Sequence, residues 1–204
     1  MGWCLEQFCF WDTYDAIEEK ILLAVSGLTP QILTETLFAL ATDRENPFVP
    51  NEIVLITTKT GKVKALEHLF GKGKQFHQLC VEYGLKGIRF DEKSIHAVQS
   101  NTGDELDDIR TEQDHERVAD TLTETIRRIT ENDDTSLHVS IAGGRKTMGY
   151  YAGYTLSLFG RPQDSLSHVL VSEPFEGLDN FYFPTRTSYP FEGRAGESLM
   201  RRMQ

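Results

Sequence analysis

The sequence predicts one α/β domain of Rossmann-like type, a mostly parallel sheet flanked by helices. Three observations lead there. Short apolar runs of buried-strand length alternate along the chain with segments of helical spacing. Two of these runs end in glycine turns, Ser26-Gly27-Leu28-Thr29-Pro30 and Gly143-Gly144-Arg145-Lys146-Thr147, and a helical pattern follows each at once. The composition, 204 residues with 39% hydrophobic and 25% charged, is that of an ordinary soluble domain able to bury a sizeable core.

Residues 1–19 have no clean period and are rich in aromatics (Trp3, Phe8, Phe10, Trp11), so they read as an N-terminal extension. The domain proper spans 20–184, and 185–204 form a C-terminal tail. Ile21 to Val25 is the first strand, apolar throughout as in a central parallel strand. Thr29 and Pro30 suit the N-cap and first position of a helix continued by Ile32, Leu33, Thr36, Leu37 and Leu40. After Asn46-Pro47, Glu52 to Thr57 is a second strand, and Val63 to Tyr83 a helix interrupted near Gly71-Lys72-Gly73. Ile88 to Phe90 and Ile95 to Val98 are weaker strand signals, and Asn101 to Asp108 is a polar, acidic loop. Val118, Leu122, Ile126 and Ile129 mark one face of a helix ending near Asn132. Leu137 to Ala142 is the next strand. Lys146 to Phe159 is the next helix, expected to bury Met148, Tyr151, Ala152, Thr155, Leu156 and Phe159 and to end at Gly160. Leu166 to Val171 and Asn180 to Phe183 are the last strand candidates. Such alternation implies parallel strands joined by right-handed crossovers.

Several function classes are disfavoured at once. No apolar run reaches the ~18 residues of a membrane span. The N-terminal region carries Glu6, Asp12, Asp15, Glu18 and Glu19 and no early cation, unlike a signal peptide, and Glu6 stands where myristoylation requires Ser or Thr. Three scattered cysteines, Cys4, Cys9 and Cys80, point to reduced thiols and a cytoplasmic protein. The net charge of −10 opposes a broad face for long nucleic acid. A small anion is different, because a local pocket of backbone N–H groups with one or two cations suffices.

Ligands of open α/β sheets bind outside the carboxyl ends of the strands, where both glycine turns lie. Without Cβ atoms, Gly143 and Gly144 let the backbone turn sharply and bring its N–H groups close to an oxygen. Arg145 and Lys146 place positive charge at a helix N-terminus, against the dipole, an arrangement usually avoided unless an anion is there. The segment is not a P-loop, since Arg145 replaces the glycine before Lys146-Thr147. Ser26 can turn its hydroxyl into the crevice, and as a polar residue at a buried strand end it calls for a partner. Thr29 reads first as a cap. No Gly-x-Ser-x-Gly elbow surrounds Ser26, and no Gly-x-Gly-x-x-Gly follows the first strand. Thr57-Thr58-Lys59-Thr60, at the end of the second strand, either lines the crevice or is a hydroxylated turn. The six histidines show no metal-ligand spacing, and Asp104, Glu105, Asp107 and Asp108 read as a solvated acidic loop, so neither a metal nor another cofactor is expected.

The run from Ser26, Ser-Gly-Leu-Thr-Pro-Gln-Ile-Leu-Thr-Glu-Thr-Leu, resembles the CRISPR-associated Rossmann-fold (CARF) domains of type III systems. So do Ser-Ile-Ala-Gly-Gly-Arg-Lys-Thr-Met-Gly-Tyr-Tyr (140–151), Leu-Ser-Leu-Phe-Gly (156–160) and Ser-His-Val-Leu-Val (167–171). The resemblance covers roughly 20–184. It implies a homodimer whose two crevices hold one cyclic oligoadenylate, with cyclic tetra-adenylate the expected ring. Some members of that family are ring nucleases that cleave the messenger without metal, by attack of a ribose 2′-hydroxyl on the adjacent phosphate, and so switch off antiviral signalling. Carried onto this sequence, Lys146 would stabilise phosphoryl charge and Ser26 would orient the phosphate or the 2′-hydroxyl. Gly27, Leu28, Thr29, Gln31, Thr57, Thr58, Gly143, Gly144, Arg145, Thr147 and Met148 would line the ligand. Many CARF proteins carry a C-terminal effector, whereas only about twenty residues follow Pro184 here. The chain then works alone as a nuclease, or as a sensor it serves an effector that is separate or lies outside this sequence.

Overall fold

Alternate residues of a strand face opposite sides of its sheet, and the first strand of this chain is apolar on both sides. The computed structural model describes residues 19–171, 175–176 and 178–186, and the backbone of 189–192 and 198–201. In it β1 (Glu19–Val25) sends Ile21, Leu23 and Val25 into one core and Leu22 and Ala24 into another. β2 (Glu52–Thr57) and β4 (Thr135–Ser140) pair with β1 on either side, and β3 (Ile95–Ala97) and β5 (Ser165–Ser167) extend the sheet outward. All four pairings are parallel and the order is β3-β2-β1-β4-β5. This is the expected α/β, Rossmann-like arrangement.

Each face of the sheet is covered by helices whose apolar stripes match it. On one face lie α4 (Glu112–Thr130), through Val118, Leu122, Ile126 and Ile129, and α5 (Lys146–Phe159), through Met148 and Ala152. On the other lie α1 (Gln31–Thr42), through Ile32, Leu33 and Leu37, with α2 (Lys59–Ala65) and α3 (Gln75–Tyr83). α2 runs straight into a π-helical turn, Leu66–Phe70, before the Gly71–Gly73 break. α4 opens with a capping box in which the Thr111 hydroxyl accepts from Asp114 N–H and the Asp114 carboxylate accepts from Thr111 N–H.

Several expectations change. Ile88 to Phe90 is not a strand: Arg89 alone bridges to β2, and a 3₁₀ turn at Glu92–Ser94, capped by Asp91, redirects the chain into β3. Asn180 to Phe183 is not a strand either. Phe181, Tyr182 and Phe183 are buried one after another, Tyr182 and Phe183 in the core under α1 and α3, with the Tyr83 hydroxyl donating to Pro184 O at 2.7 Å and Tyr182 hydrogen-bonded to His68 at 2.8 Å. α5 ends at Gly160 as expected, but Phe159, expected on its buried side, is exposed. Residues 185–204, read as a tail, contain an antiparallel pair, β6 (Tyr189–Glu192) with β7 (Ser198–Arg201). The extension before Glu19, with Cys4 and Cys9, lies outside the described residues. Cys80 is a free thiol that burial pushes up to about 11. Among the described residues no helix is long and apolar enough to cross a membrane.

Candidate functional site

The sheet order places β1 and β4 side by side, while the helices that follow them leave to opposite faces. That divergence is a topological switch point, where a crevice opens at the carboxyl ends of the strands. The two glycine turns flank it and touch: a Cβ on Gly27 would lie 3.4 Å from Gly144 Cα. Gly144 has φ +77°, a left-handed conformation that favours glycine, and a Cβ there would meet Met148 Sδ at 2.8 Å. A Cβ on Gly143 would lie 2.8 Å from both Ile32 Cγ1 and Val25 O. The end of β2 joins the same contact from the other side. A Cβ on Gly61 of α2 would fall 2.0 Å from Thr57 Oγ1 and 2.6 Å from Gly27 O.

Each expected site residue has a definite place in this arrangement. Ser26 is buried at the end of β1, and its hydroxyl lies 3.4 Å from the carbonyl oxygens of Gly27 and Thr29, folded over its own turn. Leu28 and Thr29 are exposed at the rim. Thr29 does not cap α1. Pro30 occupies the N-cap position already in helical conformation, and no side chain caps the helix. Thr58, read as crevice lining or part of a hydroxylated turn, caps a helix: its hydroxyl accepts from Gly61 N–H at 3.2 Å and opens α2 four residues before Val63. Gln31 donates through Nε2 to Asp179 O at 3.0 Å. Gln31 Oε1, Thr57 Oγ1 and Thr147 Oγ1 are buried without a hydrogen-bond partner, so unmet polar capacity gathers around the ends of β1, β2 and β4. Met148 is fully buried beneath Gly144 and supports the turn from below.

The acidic loop after β3 is not merely solvated. Lys59 N–H donates to Leu106 O at 2.8 Å and the Thr60 hydroxyl to Asp107 O at 3.1 Å, which straps residues 104–108 onto the start of α2. Three strap carboxylates then take three cations. Glu105 pairs with Lys62 at 2.8 Å, Asp107 with Lys59 at 3.7 Å, and Asp108 with Arg145 through Nε at 3.0 Å and Nη2 at 2.5 Å. Asp108 also accepts from Ile109 N–H and the Arg110 guanidinium. Arg145 foremost, with those two donors, holds its carboxyl well below the usual carboxylate range. The anion that offsets Arg145 at the head of α5 is therefore internal. Lys146 is exposed and makes no ion pair with the described residues.

The site is thus a crevice between two glycine turns with an exposed lysine, Lys146, at a helix start. Residues 29–198 match the family described as CRISPR-associated protein NE0113. The chain belongs to this family. No curated protein matches the chain.

For this NE0113-family protein, the match takes in the second glycine turn, Lys146, the strap and all of α5, while Ser26, Gly27 and Leu28 precede it. Two contributors to the site were missed in the sequence. Gly61 sits inside a helical stretch, and nothing local marks it as the point where α2 meets the first turn. Asp108 lies 37 residues from Arg145.

Proposed function

We propose that this NE0113-family protein is a CARF-type ring nuclease. It binds cyclic oligoadenylate, with cyclic tetra-adenylate as the first ring to test, across the crevices of a homodimer and opens it without metal. The carrying observation is the contact between Gly27 and Gly144 at the switch point with Lys146 exposed beside it. Membership of a CRISPR-associated family supports the choice of ligand. The sequence resemblance supports it further. A ring of four or six identical nucleotides has two-fold symmetry, so an isologous dimer offers each half the same donors.

In this reading a ribose 2′-hydroxyl attacks the neighbouring phosphorus. The 2′-hydroxyl gives up its proton to water as its bond to phosphorus forms, the bond from phosphorus to the 5′-oxygen breaks, that oxygen takes a proton from water, and a 2′,3′-cyclic phosphate ends the linear product. Lys146 and the amides of the Gly143–Arg145 turn face the non-bridging oxygens as charge grows there; one such donor contributes ~3 to 4 kcal/mol to a transition state. Ser26 orients the phosphate or the attacking hydroxyl once its side chain turns from its own carbonyls. No imidazole or carboxylate is hydrogen-bonded to Ser26 among the described residues, so turnover is slow and rests on alignment.

The same observation favours a second reading, a sensor that binds the ring intact and signals to an effector. Incubation with cyclic tetra- and hexa-adenylate in EDTA, followed by chromatography, separates the two. Linear products with one ring bound per two chains support the nuclease. Intact rings that raise the melting temperature leave the sensor, and absence of binding removes both. Lys146→Ala is expected to lower cleavage by about 100-fold and affinity by less than tenfold. Equal losses would assign Lys146 to ground-state binding.

A further inference from the structure

The cation at the head of α5 is already occupied. Arg145, the residue before the first turn of the helix, gives both Nε and Nη2 to the carboxylate of Asp108. Paired forks of this kind match a phosphate as well as a carboxylate, because both present two oxygens at similar spacing. Asp108 therefore stands where an anionic ligand group would be held by Arg145. From this geometry we infer that Asp108 is a built-in competitor for the ligand phosphate, a carboxylate latch that Arg145 exchanges for the phosphate when the ligand binds. The inference rests on the phosphate-ligand reading of the crevice given above.

Two effects of Asp108 oppose each other, and their balance decides the sign. As a support it could hold the Gly143–Arg145 turn in shape. As a charge it repels the ligand and withholds Arg145. The turn does not need the support: Gly143 is wedged against Ile32 and the Val25 carbonyl, Gly144 rests on Met148, and Ile141 N–H donates to Ser167 O at 3.0 Å. The strap does not need it either. Leu106 N–H donates to Val98 O at 2.8 Å, Leu106 O accepts from Lys59, and the Lys62–Glu105 and Lys59–Asp107 pairs remain when Arg145 lets go. Arg110 and the Ile109 N–H keep the released carboxylate partnered. Arg145 and Asp108 are both partly exposed, at 51% and 30% of their side-chain surface, so the exchange proceeds without unpacking the core. The charge effect wins.

The test compares wild type, Asp108→Asn, Arg145→Gln and the double variant in titrations with two probes. One is cyclic tetra-adenylate and the other is inorganic pyrophosphate, which carries the phosphate chemistry without the ring. Removing the Asp108 charge is expected to tighten both probes about three- to five-fold, the scale of one exposed ion pair, and the gain should vanish in the Arg145→Gln background. Asp108→Ser serves as a second charge removal, with thermal unfolding confirming that each variant is folded. Unchanged or weaker binding by both charge-removal variants overturns the latch, as does an equal gain without Arg145. The arms separate the two claims. If the ring binds wild type and Asp108→Asn alike, the latch fails and the functional reading survives. If only pyrophosphate binds and tightens, the latch stands and the ring reading fails. If neither probe binds any of the proteins, both fail.

Discussion

Glycines at the site act through the space a side chain would fill. An alanine at Gly61 would place its Cβ 2.6 Å from the Gly27 carbonyl oxygen, a backbone atom that yields only if the β1 turn moves. At Gly144 the obstacle is the end of the flexible Met148 side chain, together with the left-handed φ. Gly61→Ala is therefore expected to destabilise by about 2 to 3 kcal/mol and Gly144→Ala by about 1 to 2 kcal/mol, measured by urea unfolding. The reverse order would mean that α2 does not press on the first turn. The sequence showed Gly144 plainly, since a Gly-Gly pair ending a strand announces a sharp turn. It did not show Gly61, whose importance comes from a contact with a turn more than thirty residues earlier. The same separation hid the partner of Arg145: a cation against the helix dipole was legible, but the carboxylate that satisfies it was not.

Elements were legible to the extent that their periodicity came from burial. The stripe Val118, Leu122, Ile126 and Ile129 is wholly buried in α4, and β1 and β2 are apolar on both faces, as their runs required. Truncating the middle of that stripe, Leu122→Ala, is expected to cost about 3 kcal/mol in chemical denaturation. A loss below about 1 kcal/mol would place α4 outside the core. Where burial comes from something other than a sheet, the reading went astray. Phe181, Tyr182 and Phe183 form an apolar run like a strand's and are buried in succession, but they belong to no strand of the sheet. Phe159 fell on the expected face of α5, yet as the last residue of the helix it is exposed.

On the scale of the whole molecule, one buried histidine couples stability to pH. His138 lies in β4 with Nε2 2.7 Å from Ser167 Oγ and Nδ1 2.8 Å from Ser165 Oγ, so it ties the edge strand β5 to the sheet. Burial lowers it from an ordinary 6.5 to about 4. The unfolded chain then binds a proton that the folded chain refuses, and stability present above pH 6.5 is lost as the pH falls toward 4. Wild type is expected to lose about 2 to 3 kcal/mol more than His138→Gln over that interval, read from unfolding curves at each pH. Matching pH profiles would show that the imidazole titrates normally in the folded protein. Asp108, held ionised to lower pH, keeps its grip on Arg145 throughout. The layered fold and the position of both glycine turns could be read from local pattern, whereas the strap over the crevice depends on contacts no local pattern encodes. The contact between Gly27 and Gly144 carries one more implication. Two turns pressed backbone to backbone cannot sample conformations independently, so their ordering entropy is lost when the chain folds and not when a ligand arrives. Under the proposed function, recognition there would work as a rigid template, with side chains such as Arg145 adapting while the floor of the site holds still.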